Sequence, residues 1–186
     1  MLRSLVLLLV CLANAALAAP WDIVQDQTRI EVDVTYFGST ITMRFERVNG
    51  TVDFDAARPQ RAKADITVPV AQVETGLGIA NGIVKSKDYL NARAYPDIRF
   101  QMDRLDRTSE STADIYGQMT LLGVTRPILF RARLFRYSRP QGGGPFEAGF
   151  NLTGQVDRRS YGNMTALGTV SAVLPIRIQL LMRERL

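Results

Sequence analysis

The sequence predicts an all-β fold, an antiparallel barrel or sandwich of about eight or nine strands with one short helical insertion. Three observations predict it. Apolar residues recur at every second position through most of the chain after residue 28, the period of a strand with one buried face. Short links rich in Gly, Asn or Ser join most of these runs. Only residues 73–96 lose the alternation over a long stretch.

The chain opens with "MLRSLVLLLVCLANAALAAPW", in which one early Arg3 precedes an apolar run from Leu5 to Leu12 and small residues at Ala16 and Ala18. This is the grammar of a secretory signal with an A-x-A cleavage site, cut after Ala18. The run is shorter than the roughly 20 residues of a membrane-spanning helix. Two parts are therefore expected: a cleaved signal peptide, residues 1–18, and one exported, periplasmic domain, residues 19–186. Bulky Val10 argues against lipid attachment at Cys11. That cysteine leaves with the signal, so the mature domain holds together by packing and not by disulfides.

The strands follow in order. "TRIEVDVTYF" (28–37) places Ile30, Val32, Val34 and Tyr36 on one side, with Arg29, Glu31, Asp33 and Thr35 on the other. A Gly38-Ser39 turn leads into "TITMRFERV" (40–48). Asn49-Gly50 in "VNGTVDFD" is a strong hairpin signal, because both residues tolerate positive φ. "AKADITVPV" (62–70) ends on Pro69, where no ladder donor is missed. Residues 73–96 read as turns with one or two short helices, with Ser86 placed to cap a turn at Lys87-Asp88. Strands resume at 97–105, as a pair within 113–135 about a Gly123-Val124 turn, at 145–154, and at 170–182.

Composition limits the chemistry. The sequence has no His and one Cys, the latter in the signal, so the commonest general base, metal ligand and thiolate are missing from the mature domain. Asp53 and Asp55 flank Phe54 and read as solvent-facing, too few for calcium. "QGGGP" lacks the Lys-Ser/Thr of a phosphate loop, and Ser160 has no base beside it. The expectation is a protein without catalytic residues, metal or cofactor. Residues 19–110 hold 12 basic and 14 acidic residues, whereas residues 111–186 hold 10 and 4. Such asymmetry attracts anionic membrane surfaces or nucleic acid. Arg131, Arg133, Arg177 and Arg183 alternate with apolar residues, however, and read as the solvated outer face of strands. No nucleic acid is expected.

The inner faces pose a question of volume. An eight-stranded barrel is just wide enough to be filled by side chains or to hold one small ligand. The inward apolar positions are Val34, Tyr36, Phe54, Ile66, Phe100, Met102, Ile115, Met119, Phe130, Phe150, Leu152, Ile176 and Ile178. They either pack against one another or form the wall of a binding site. Gly117 and Ala132 on the same faces leave room along an axis, and Met102 and Met119 suit a guest of variable shape. Segment 77–90 carries Leu77, Ile79, Ile83, Val84, Tyr89 and Leu90, more apolar surface than a solvated loop needs. It is expected to pack over the barrel or its mouth as a lid, with Ile79 and Ile83 at the ligand.

Several segments together resemble the YceI family of periplasmic lipid-binding proteins: "WDIVQDQTRIEV", "RFERVNGTVDFD", "VETG" with "VKSKDYLNARAYPDIRF", "GQMTLLGVTRPILF" and "DRRSYGN". The resemblance implies an antiparallel eight-stranded lipocalin-like β-barrel with one short helical insertion. It further implies an internal tunnel for a long apolar lipid chain, namely a polyisoprenoid, a quinone-like lipid or a fatty amide. A homodimer and a membrane surface are further implied partners. Many members carry His near Gln27 and Tyr36, and a charged element where this chain reads "LGIANGIV" (77–84). The alternative is a non-catalytic interaction or stress module docking to a membrane or redox partner through its basic C-terminal half. Absent polar motifs do not weigh against lipid binding, since each buried methylene contributes about 0.8 kcal/mol without any hydrogen bond.

Overall fold

The computed structural model describes residues 19–185, and the expected signal peptide lies outside them. Among the described residues there are eleven strands: β1 (Ala19–Ile23), β2 (Arg29–Tyr36), β3 (Ser39–Phe45), β4 (Asn49–Phe54), β5 (Lys63–Pro69), β6 (Val73–Glu74), β7 (Asp97–Arg107), β8 (Thr112–Leu121), β9 (Val124–Ser138), β10 (Glu147–Asp157) and β11 (Val173–Glu184). The one α-helix among the described residues is α1 (Gly78–Lys85). Every strand pairing is antiparallel.

Eight of the strands close a barrel in the order β1-β4-β5-β7-β8-β9-β10-β11, with β1 returning to β11. Closure uses Trp21↔Glu184 and Ile23↔Met182 on one side of β1 and Trp21↔Val52 on the other. The remaining strands lengthen one half of the wall. β2 runs along β11 through Ile30↔Ile178 and Val32↔Ile176, β3 pairs with β2, and short β6 pairs with β3. Trp21 secures the junction: its Nε1 donates to the Phe54 carbonyl at 2.8 Å, and its ring meets that of Phe54 edge to face. Its neighbours Val52, Ala148 and Met182 are buried with it. Each of the eight barrel strands has a partner on both sides, whereas the outer edge of β3 is covered by β6 only at Arg44 and Phe45.

Three details differ from the sequence reading. Asn49-Gly50 does not form a hairpin; both residues lie in β4, which pairs with β1 and β5 and not with β3. Gly50 (φ +133°) lies so close to β5 that a Cβ would collide with the Asp65 carbonyl, so close backbone approach is what requires a glycine there. The signal misleads because β4 has a better partner in β1, a short strand too close to the signal peptide to show a period of its own. The two-residue turns also sit one position earlier than read, at Phe37-Gly38 and Leu122-Gly123. All four residues have positive φ, the condition of a type I′ turn that follows the twist of its strands. Finally, β11 begins at Val173, and Val170 makes only an isolated bridge to Tyr36.

The two ends of the barrel are made of different connections. Loops 55–62, 108–111 and 139–146 cluster at one end. At the other lie the β2–β3 and β8–β9 turns, segment 75–96 and residues 158–172.

Candidate functional site: the barrel interior

Large apolar side chains at alternate positions should fill an eight-stranded barrel, and two glycines show why this one stays hollow. A Cβ on Gly117 would stand 2.5 Å from Cε2 of Phe100, and one on Gly154 would stand 2.6 Å from Cδ1 of Phe130. Each ring thus lies down on a neighbouring strand where a glycine leaves space. The two rings meet edge to face, with centroids 5.5 Å apart. The room at Gly117 that the sequence assigns to a guest is therefore taken by Phe100.

What remains is a cavity of about 470 Å³, within the range of small-molecule sites. Most of the sequence candidates line it: Phe54, Ile66, Phe100, Met102, Ile115, Met119, Phe130, Phe150, Leu152, Ile176 and Ile178. Strand alternation alone brings them together, from β4, β5, β7, β8, β9, β10 and β11. Val34, Tyr36, Ile79 and Ile83 are not among the lining residues. Val34 packs against the core cluster. Tyr36 is exposed at the β2–β3 turn, its ring edge-on to Phe37.

Ile79 and Ile83 are 85% and 49% exposed, contrary to the lid reading, and the reason lies between them. The Asn81 side chain accepts hydrogen bonds from the backbone N–H and hydroxyl of Thr75 and donates to Glu74, fixing that face of α1 toward β6. Residues two places away point to the opposite side of a helix. The segment closes the barrel with other residues. Val84 packs against the core cluster, and Leu90, held by its N–H to the Val84 carbonyl at 3.0 Å, lines the cavity.

The sequence reading also missed part of the wall. Leu134, Leu180 and Met182 continue the alternation along β9 and β11 and were within its reach. Arg107, Glu110, Ser111, Thr112 and Tyr137 were not, because only the closed barrel turns the β7–β8 connection and the end of β9 toward the lumen. The lining residues classed as exposed, Ala56, Arg107, Glu110 and Tyr137, all belong to the end formed by loops 55–62, 108–111 and 139–146. That end is the mouth. Opposite it the lining is Leu90, Leu121, Val156 and Leu174, buried or half-buried.

Arg158 stabilises the closed end. The residue is only 4% exposed. Its Nε donates to the Ser171 carbonyl at 2.9 Å, Nη1 to the Asn163 carbonyl and Oδ1, and Nη2 to the Val170 carbonyl at 3.0 Å. Burial lowers its pKa from the ordinary value, yet a guanidinium with four carbonyl partners keeps its proton. Asn163 in turn donates to the Tyr89 carbonyl at 2.9 Å, and Thr165 to that of Asp88 at 2.7 Å. One cation thereby joins the β10–β11 connection to the segment that carries Leu90.

Charge elsewhere is kept outside the barrel and largely matched. Arg177 holds the Asp33 carboxyl below the usual carboxylate range, Arg99 does so for Asp65, and Arg183 with Arg136 for Glu147. Arg185 pairs with Asp22 and Arg159 with Asp157. Within the cavity only Arg107 and Glu110 are charged, both at the mouth.

Comparison with known proteins agrees with this architecture. Residues 21–182 match the sequence model of the YceI-like domain. A protein of Pseudomonas fluorescens named "UPF0312 protein" is 32% identical over 167 residues, which cover 86% of this chain and 84% of that one. Among solved structures, BcnA of Burkholderia cenocepacia superposes with a TM-score of 0.76 at 18% identity, covering 86% of this chain and 99% of that one. A polyisoprenoid binding domain from Saccharophagus degradans superposes with a TM-score of 0.67 at 14% identity, covering 91% and 99%. Structural likeness at such identities speaks for the barrel alone; sequence agreement from the strand-closing Trp21 to Met182 goes further, and by it the chain belongs to the YceI family.

Proposed function

We propose that this protein is a periplasmic binding or carrier protein that holds a long apolar lipid chain, of the polyisoprenoid, quinone-like or fatty-amide kind, inside its barrel. The observation that carries the reading is the apolar cavity inside the barrel, whose only charged lining residues are Arg107 and Glu110 at one end. An apolar hollow of this size is expected to attract hydrocarbon. Ten buried methylenes contribute roughly 8 kcal/mol gross, and association and ordering cost several kcal/mol of that. Micromolar affinity, about −8 kcal/mol, then needs only a moderately longer chain. Binding rather than catalysis also suits a sequence without His. The "polyisoprenoid binding" description of the Saccharophagus degradans domain supports the same class of ligand. Periplasmic placement rests on the secretory grammar of residues 1–18.

The test is organic extraction of the purified protein followed by mass spectrometry. The expected result is one lipid per chain. A protein that yields none, and takes up none when offered prenyl or acyl lipids, is a scaffold and not a carrier. Docking through the basic C-terminal half is the weaker reading, because Arg136, Arg159, Arg177, Arg183 and Arg185 are already engaged with carboxylates.

A further inference from the structure

Most of the large apolar side chains left exposed among the described residues lie at the closed end. Phe37 at the β2–β3 turn is 71% exposed, with Tyr36 edge-on beside it. Segment 75–96 adds Leu77, Ile79 and Ile83, and the β10–β11 connection adds Met164 and Leu167, all exposed. Loose backbone is not the cause. The Phe37 N–H donates to the Thr169 carbonyl at 3.0 Å, and the Thr165 hydroxyl donates to the Asp88 carbonyl at 2.7 Å. The three connections are thus tied to one another while these side chains stay in water.

Phe37 is also strained. Its φ of +46° lies in the left-handed region, where Asn or Gly suits a type I′ turn and a bulky ring does not. The turn would gain from another residue there, so the ring serves something outside the fold.

Charge at this end indicates the partner. Segment 75–96 holds Lys85, Lys87 and Arg93 against one acidic residue, Asp88. None of the three cations pairs with a carboxylate among the described residues. On the outer face of the sheet, by contrast, Arg177, Arg183 and Arg185 are matched. We infer that the closed end docks on an anionic phospholipid surface. Phe37, Ile79 and Ile83 enter its head-group region, and Lys85, Lys87 and Arg93 meet lipid phosphates. Apolar side chains shed their hydration at a bilayer interface, and each basic residue near an anionic leaflet strengthens binding about fivefold. A second copy of the chain fits less well, since a two-fold contact would set the cations of one copy against those of the other. The mouth is left facing away from the bilayer, and docking does not depend on what the lumen holds.

The test is cosedimentation of residues 19–186, which include all the strands described above, with vesicles of phosphatidylglycerol and phosphatidylethanolamine. The expected result is binding that weakens as salt rises and is largely lost on phosphatidylcholine vesicles. Ile79→Ala with Ile83→Ala should lower the partition constant about tenfold, and Lys85→Gln with Lys87→Gln should lower it about tenfold. Phe37→Asn should lower it about fivefold without lowering the melting temperature, because asparagine suits the positive φ of the turn. Arg131→Gln with Arg133→Gln removes as much charge from the outer face of β9 and should leave binding unchanged. Absence of binding to anionic vesicles, binding indifferent to Phe37 and the isoleucines, or equal loss in both charge variants overturns the proposal. So does a dimer in analytical ultracentrifugation that the isoleucine variant dissolves while vesicle binding is absent, which would give this face to a second copy.

Discussion

The two ends of the barrel are built from the same strands and differ in almost everything else. At the closed end, two tight turns stand beside the long segments 75–96 and 158–172, and a buried arginine spends its donors on carbonyls of two adjoining loop stretches. Leucines from three elements meet there over the lumen. At the mouth, the connections are the three loops 55–62, 108–111 and 139–146. Gly142, Gly143 and Gly144 all have positive φ, and the cavity's charged lining faces water. The contrast teaches that strand alternation makes a tube but does not decide which way the tube opens. That decision belongs to the loops, where hydrogen bonds are either satisfied within the protein or left to solvent.

Four sets of substitutions break or sharpen this contrast. The largest effect is expected at the closed end. Arg158→Ala leaves the carbonyls of Ser171, Val170 and Asn163 buried without their donor and should cost about 3 kcal/mol by urea denaturation. Lysine, a point charge without the fork, should restore little of it. A loss under 1 kcal/mol would make the two ends alike in their dependence on polar closure.

Next comes the middle of the tube. Gly117→Ala sets a Cβ against both the Gln101 carbonyl and the Phe100 ring and should cost at least about 1–3 kcal/mol. It should also weaken uptake of prenyl or acyl lipids, because the displaced ring enters the lumen. Unchanged uptake in a folded variant would show that Phe100 has another place to go.

At the mouth end, Glu147 accepts from Arg183 at 2.8 Å and Arg136 at 3.0 Å on the outer face. Glu147→Gln should cost about 1 kcal/mol at neutral pH, since both arginines are partly solvated. Arg183, chiefly, holds this carboxyl below its ordinary pKa. Its contribution is therefore complete above the unfolded carboxyl pKa of about 4.3 and disappears as pH falls through the lower folded value. Urea curves at pH 7 and near pH 3 should show the wild-type advantage shrinking on acidification; an advantage that persists would place its origin elsewhere.

The smallest effect belongs to the apolar residues that α1 turns to solvent. Ile79→Ala with Ile83→Ala should change stability by no more than about 0.5 kcal/mol and leave ligand retention untouched, whereas Leu90→Ala should speed release. Release that responds to the isoleucines would return them to the cavity's closure.

Most of the wall was legible in the sequence because period 2 carries its own geometry. Ile115 and Met119 on β8, Phe130 on β9 and Ile176 and Ile178 on β11 face inward for no reason beyond alternation. The errors have local causes. Helix facing could not be read for α1, since it depends on the bonds Asn81 makes to Thr75 and to Glu74 of β6. Asn49-Gly50 looks like a turn until β1 competes for β4. Gly117 looks like empty space until Phe100, seventeen residues earlier in the chain, lies over it. Each of these contacts depends on how one element packs against another, which the local pattern of side chains does not record.

By itself, then, the sequence determined that the chain is built of antiparallel strands with one apolar face, that chemistry requiring histidine is beyond it, and which family it resembles. Those properties are local, set by side-chain alternation and composition. Only the tertiary structure decided that eight strands close through β1, that the hollow is sealed by Leu90 and open beside Arg107, and that about 470 Å³ is left unfilled. Closure and volume arise from register and ring packing between strands far apart in the chain, and those are fixed only when the tube is complete.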